Sequence, residues 1–200
     1  PGVPVHFLPV IRRPSLLRLL SFTFSAASAA RRGAYDIVQS HERTLVHDLY
    51  RAGEGCHRGY LDAMSPRLGA WKRAFLQANP YHRVLLALER RIFARGRYKH
   101  VIAISQLSGR EIRSLYGTPE KDITVVYNGV DLTRFTPDNR DRCGKPVREE
   151  LGIPADAWVV LFVGSGFERK GLGPLIEGFA GLDRRSVRMV VVGKGDTSRY

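Results

Sequence analysis

The stretch "WVVLFVGSGFERKGL", residues 158–172, decides the fold class of this chain. From Trp158 to Val163 it is apolar without alternation, which is how a strand covered on both faces reads. The run ends at Gly164. Gly164, Gly166 and Gly171 then enclose Glu168 and the adjacent cations Arg169 and Lys170, and an apolar helical pattern follows over Leu172–Leu182. Strand, small-residue turn and helix make one half of a βαβ unit. Outward from here the same alternation recurs. Short runs rich in Val and Ile predict strands at Val3–Leu8, Ile37–Gln39, Val101–Ile104, Ile123–Tyr127 and Val187–Val192. Helical spacing predicts helices over Ser15–Ala30, Tyr81–Arg95, Gln106–Tyr116 and Pro146–Leu151. Pro14 suits a first turn, Ser105 a cap, and Gly96, Gly117 and Gly152 suit stops. The chain is therefore expected to be α/β, with parallel, doubly wound sheets.

The segment "TPDNRDRCGKP", Thr136–Pro146, is polar and rich in proline and glycine, and it predicts a boundary between two α/β patterns. The expected domains are 1–138 and 139–200, each partial. The chain starts at Pro1 rather than Met and stops just past a strand pattern, so both ends are expected to continue into something longer.

Composition narrows the partners. Hydrophobic residues make up 44% of the 200, enough for a packed core and too many for global disorder. Lys and Arg total 32 against 19 Asp and Glu, a net charge of +13. Such a field favours a polyanion: nucleic acid, an anionic membrane face or phosphorylated substrates. The two cysteines, Cys56 and Cys143, lie far apart, which argues against a disulfide scaffold or a Cys-rich zinc site and fits a reducing compartment. The longest mostly apolar stretch, Leu16–Ala30, contains Arg18 and falls short of the roughly 20 apolar residues a spanning helix needs.

Two well-known phosphate-binding signatures fail at residues 164–171. The dinucleotide fingerprint G-x-G-x-x-G would need its third glycine at the position of Arg169. The P-loop would need Lys and Ser or Thr where Leu172 and Gly173 stand. Two readings remain. One is an exposed basic turn, common in so basic a chain. The other is a turn whose Arg169 can fork onto phosphate oxygens while Lys170 adds a point charge, just before a helix start that favours anions.

Three motifs in fixed order point further. "VIAISQLSGREIRSLYG", "ITVVYNGVDLTRFTP" and "VVLFVGSGFERKGL" strongly resemble the retaining GT-B glycosyltransferases of family 4, in which "S…YG", "NGVD…F.P" and "VG…RKG" follow one another. "DLYRAGEGCHRGYL", residues 48–61, looks like the "YRAGDG.HR" segment of the subgroup that glucosylates the heptose core of lipopolysaccharide. The resemblance covers about residues 35 to 193. It implies a GT-B fold of two Rossmann-like domains, both incomplete here. It implies a hexose donor, UDP-glucose in the subgroup, with Gly164, Gly166, Arg169 and Lys170 on its diphosphate. The acceptor would be a phosphorylated glycolipid or lipopolysaccharide core. No metal or other cofactor is expected, because two cations can neutralise the diphosphate as it leaves. Glu54 is the catalytic candidate: it can receive the acceptor proton or stabilise a cationic sugar. The subgroup has Asp at the matching place, one methylene shorter. The family's Gly-rich N-terminal loop and its acidic sugar-reading pair match nothing within 1–200, so the isolated chain is expected not to turn over.

Other residues carry weaker expectations. Asn128, Gly129 and Asp131 read first as a tight turn, since Asn-Gly accepts positive φ, and by resemblance as hinge and cleft. His57 is expected on the acceptor side by resemblance only. Gly193 and Lys194 follow a strand whose carboxyl end could meet the nucleotide. His41, His47 and His57, near Glu42 and Asp48, do not share a ligating face, so scattered surface or cleft roles are expected. Leu68–Gln77, with Trp71 and Phe75 beside Lys72 and Arg73, suits an anionic membrane face, giving an enzyme peripheral on the cytoplasmic side of the inner membrane. The rival reading is a non-catalytic, basic, nucleic-acid- or nucleotide-binding α/β protein. No helix-turn-helix, zinc-finger or RRM signature supports it, so nucleic acid is not expected as a partner.

Overall fold

The computed structural model describes residues 3–182 and 186–200, the side chain of Arg67 excepted. The chain divides into two compact units, Pro1–Gly129 and Val130–Tyr200. The sequence put this division between 138 and 139, in a polar linker. Instead, helix α6 (Asn139–Glu150) runs through that stretch, with Pro146 inside it. It buries no residue, and Asp141 in its first turn and Arg148 in its last complement the helix dipole.

Unit 1 holds a four-stranded parallel sheet in the order β1 (Gln39–Ser40), β2 (Leu49–Ala52), β3 (His100–Ala103), β4 (Ile123–Val125). Tyr50 pairs with Val101 and Ala52 with Ala103, and Val101 and Ala103 pair in turn with Ile123 and Val125. Helix α1 (Ser15–Arg32) comes before the sheet. Helices α2 (His57–Met64), α3 (Ala70–Ala78) and α4 (Pro80–Ile92) lie between β2 and β3, and α5 (Gln106–Tyr116) lies between β3 and β4. Asn79 caps α4, its side chain accepting from Tyr81 N–H at 2.9 Å. Ser105 caps α5, accepting from Ser108 N–H at 3.1 Å, and Gly117 ends it in the left-handed region at φ 67°. The core gathers Tyr50, Ala52, Cys56, Ile92, Phe93, Val101, Ala103 and Ile112, with Phe93 edge-on to Tyr50 and stacked on Tyr116.

Two expectations for unit 1 need correction. Val3–Leu8 is not a strand. No ladder partner lies along it among the described residues, and Val3 and Phe7 are 85% and 93% exposed. A strand cannot persist without a neighbour to accept its backbone groups. Conversely, β2 forms where no strand was expected. It is four residues long, includes Arg51 and runs straight into Gly53, so its local signal is weak.

Unit 2 pairs β5 (Trp158–Val163) with β6 (Val187–Val192) in parallel, from Trp158↔Val187 to Val163↔Val192. Two helices follow β5: α7 (Phe167–Lys170) and α8 (Leu172–Ala180). The sequence read β5 as covered on both faces. Trp158, Leu161 and Val163 are exposed and no residue of β5 is buried, so among the described residues the strand is not covered on both faces.

Candidate active site

In unit 2 the end of β5 and the end of β6 are stitched together. Gly164 N–H donates to the Val192 carbonyl at 2.8 Å, Gly166 N–H to the Lys194 carbonyl at 3.2 Å, and Lys194 N–H to Ser165 Oγ at 3.2 Å. Gly164 and Gly193 have φ of 152° and 155°, and a Cβ on Gly193 would stand 2.1 Å from the Gly164 carbonyl oxygen. Only glycine permits so close a backbone approach. Phe167 is buried beneath the turn, edge-on to Phe162 and Tyr200.

Above this platform the two cations fold back over the glycines. Lys170 Nζ lies 2.5 Å from where a Cβ on Gly164 would be, and Arg169 Nε lies 4.0 Å from the same point on Gly166. Both are exposed, and neither forms an ion pair among the described residues, whereas neighbouring Glu168 pairs with Arg199 at 3.3 Å. The sequence placed the cations just before a helix. They are the last two residues of the short α7, and Gly171, at φ 79°, separates them from α8. Two unpaired cations on a turn with no side chains in the way can receive a bidentate anion.

In unit 1 Glu54 sits on the Gly53-Glu54 turn after β2, just past a tight bend in which Gly53 N–H donates to the Arg51 carbonyl at 2.9 Å. Its carboxylate accepts from Arg43 Nη1 at 2.6 Å. Arg43 also reaches Glu89 at 3.4 Å through Nη2. Burial alone would lower the Arg43 pKa, but the bond to Glu54 and the charge of Glu89 outweigh it and the pKa is raised. Glu54 and Arg43 line a cavity of about 400 Å³ with Arg18, Glu42, Tyr81 and Phe22. The lining thus mixes aromatic and aliphatic side chains with acids and bases.

The remaining predicted residues fall as follows. The His57 ring turns to His82, with 3.0 Å between Nε2 and Nδ1, and stacks on Tyr60; it does not line the Glu54 cavity. Burial lowers the pKa of both histidines. Asn128 accepts from Arg51. Neither Asn128 nor Gly129 has positive φ, so the expected Asn-Gly turn does not form. The turn comes next instead: Asp131 Oδ1 accepts from Thr133 N–H and Oγ1–H and from Arg134 N–H, which lowers its pKa. The division between the units falls inside this motif, between Gly129 and Val130. His41 meets Gln39 at 2.7 Å, and His47 is buried against Tyr50. The Cys56 thiol is pushed up to about 12 by burial, then by Glu89 and Glu111, so it is unreactive at neutral pH.

The family description "Glycosyltransferase Family 4" matches residues 1–134, two thirds of the chain. The chain belongs to glycosyltransferase family 4. Among its relatives a probable transglycosylase of Burkholderia thailandensis is 35% identical over 164 residues, 82% of this chain and 41% of that protein. The D-inositol 3-phosphate glycosyltransferase 1 of Catenulispora acidiphila is 29% identical over 182 residues, 85% of this chain and 40% of that one. An uncharacterised glycosyltransferase of Methanocaldococcus jannaschii is 31% identical over 101 residues, 50% of this chain and 26% of that protein. This chain therefore spans less than half the length of these curated relatives. The crystal structure of WaaG, a glycosyltransferase involved in lipopolysaccharide biosynthesis, matches with a TM-score of 0.72 at 22% identity, over 94% of this chain and 50% of that one. The α/β fold with parallel sheets is thus the GT-B fold expected from the motifs.

Three residues that the motifs did not point to join Glu54 in one contact network: Arg43, Glu89 and Tyr116. Glu89 had a signal. It lies on the apolar stripe of α4 with Leu85, Leu88 and Ile92, where a carboxylate must find partners.

Proposed function

We propose that the protein is a retaining hexosyltransferase that moves glucose from UDP-glucose to a phosphorylated glycolipid or lipopolysaccharide core acceptor. The observation that carries this reading is the pair of cations, Arg169 and Lys170, without ion-pair partners among the described residues and folded over Gly166 and Gly164 at the carboxyl end of β5. A leaving diphosphate gains charge as its bond to the sugar breaks, and cations fixed beforehand stabilise that charge. They can do so without a metal. The departing phosphate takes the acceptor proton on the same face, so no protein nucleophile is required, and Glu54 orients the acceptor or stabilises the positive sugar. Gly193 and Lys194, stitched to the same turn, would contact the nucleotide in this reading, and their link to the turn supports it. Arg18 in the Glu54 cavity suits a phosphorylated acceptor, and the name of the Catenulispora relative points to one.

The same reading puts the protein on the cytoplasmic face of the inner membrane. Trp71 and Phe75 on α3 are 72% and 69% exposed and flanked by Lys72 and Arg73, and among the described residues no helix is long and apolar enough to cross a membrane. An interfacial helix would keep such an acceptor within reach. The test is a thermal melt of the full-length protein. UDP is expected to raise Tm, with NAD and duplex DNA leaving it unchanged. Stabilisation by DNA but not by UDP would favour the nucleic-acid reading instead.

A further inference from the structure

We propose that Glu89 is a positioning residue for Glu54, holding its turn through two separate connections. The proposal rests on the role of Glu54 given above. The Glu89 side chain extends from α4 and is 1% exposed. Its Oε1 accepts from His57 N–H at 2.5 Å and from Arg43 Nη2 at 3.4 Å. Its Oε2 accepts from Tyr116 Oη–H at 2.6 Å and from Arg58 N–H at 3.2 Å. A carboxylate offers about four acceptor positions, and all are filled.

The first connection runs through the backbone. Helix α2 has no side-chain cap of its own at Cys56, and its first two N–H groups end on Glu89 instead. That fixes the helix start three residues beyond Glu54. The second runs through Arg43, whose guanidinium bridges Glu89 to the Glu54 carboxylate. Together they close a ring: Glu89, His57, back along the chain to Glu54, then Arg43 and Glu89 again. The anchor is buried while the Glu54 carboxylate stays 62% exposed beside the cavity, which is the arrangement a held but accessible catalytic group needs. Glutamine at 89 would keep the shape but turn an NH₂ toward two of the four donors. Aspartate would fall short by a methylene.

The test uses the full-length protein with UDP-glucose and a core lipid ending in phosphorylated heptose as probes. Glu89→Gln is expected to lower kcat about 10²-fold, the loss typical of a misplaced group, and to leave the KM for UDP-glucose within about twofold. In a Glu54→Ala background the same change is expected to cost nothing further, because its effect passes through Glu54. If the two losses multiply, Glu89 acts independently of Glu54 and the proposal fails while the role of Glu54 stands. If Glu54→Ala alone keeps wild-type kcat, the role of Glu54 fails and takes the proposal with it. Hydrogen exchange gives a reading that needs no acceptor. In Glu89→Gln the amides of His57 and Arg58 are expected to exchange at least about tenfold faster while Val101–Ala103 keep their protection. Equal protection in both proteins overturns the proposal. Should Glu89→Gln fail to fold, Arg43→Lys, which keeps the charge but loses the bridge, is expected to lower kcat about tenfold and to be silent in the Glu54→Ala background.

Discussion

His47, His57 and His82 all sit below the ordinary imidazole pKa of 6.5, each chiefly because burial disfavours the charged ring. For His57 the charge of Glu89 opposes the shift and Arg43 and His82 add to it. For His47 the charge of Asp48 and the Thr44 backbone oppose the shift without reversing it. The sign of the consequence follows from linkage. On acidification the unfolded chain takes up these protons first, from about pH 6.5 downward, so stability is full above that pH and falls as pH drops toward the folded values. The urea midpoint is therefore expected to be lower at pH 5.5 than at pH 7.5, and His82→Gln should shrink the difference. A midpoint that is flat between the two pH values would contradict this account. At the same scale, Arg169 and Lys170 were picked out as candidates because they sit in a motif with its glycines in place. Arg43, Glu89 and Tyr116 were not, because their meaning lies in partners up to 46 positions away that local spacing cannot reveal.

Elements were legible where the chain carries its own punctuation. Ser105 and Gly117 bracket α5 as predicted, and β6 keeps its predicted bounds because a run of five apolar residues around Arg188 ends at Gly193. Elements defined by their neighbours were not legible. β2 gains its identity from pairing with β1 and β3, Val3–Leu8 loses its own for want of a ladder partner, and α6 is polar enough to read as a linker. Helix α3 is the element whose exposed face calls for a partner. Trp71 and Phe75 point outward, and Arg73 is tied back through Nε and Nη2 to the Ser65 and Leu68 carbonyls. Trp71→Ala/Phe75→Ala in the full-length protein is expected to weaken binding to anionic vesicles on the order of tenfold, because two buried aromatics contribute a few kcal/mol at most at an interface. Co-sedimentation checks it, and equal binding of variant and wild type, or equal binding to neutral and anionic vesicles, would count against a membrane role for α3.

At the scale of the whole molecule, two α/β units with parallel sheets each present one candidate feature. Unit 1 offers an acidic residue held beside a mixed cavity, and unit 2 offers two cations over a glycine turn. The fold class and the order of the motifs were legible because alternating strand and helix patterns admit few topologies. The position of the division was not: it falls after Gly129, inside a motif that reads locally as a turn. A net charge of +13 attracts any polyanion, so salt-sensitive binding to nucleic acid says little about function. The discriminating quantity is the share of nucleotide affinity that passes through the two cations. Calorimetric titration of UDP at physiological salt into the full-length protein and its Arg169→Ala/Lys170→Ala variant measures it. Two charge-assisted contacts of about 1.5 kcal/mol each predict a Kd weakened about 10²-fold in the variant; the same Kd in both proteins would contradict the account.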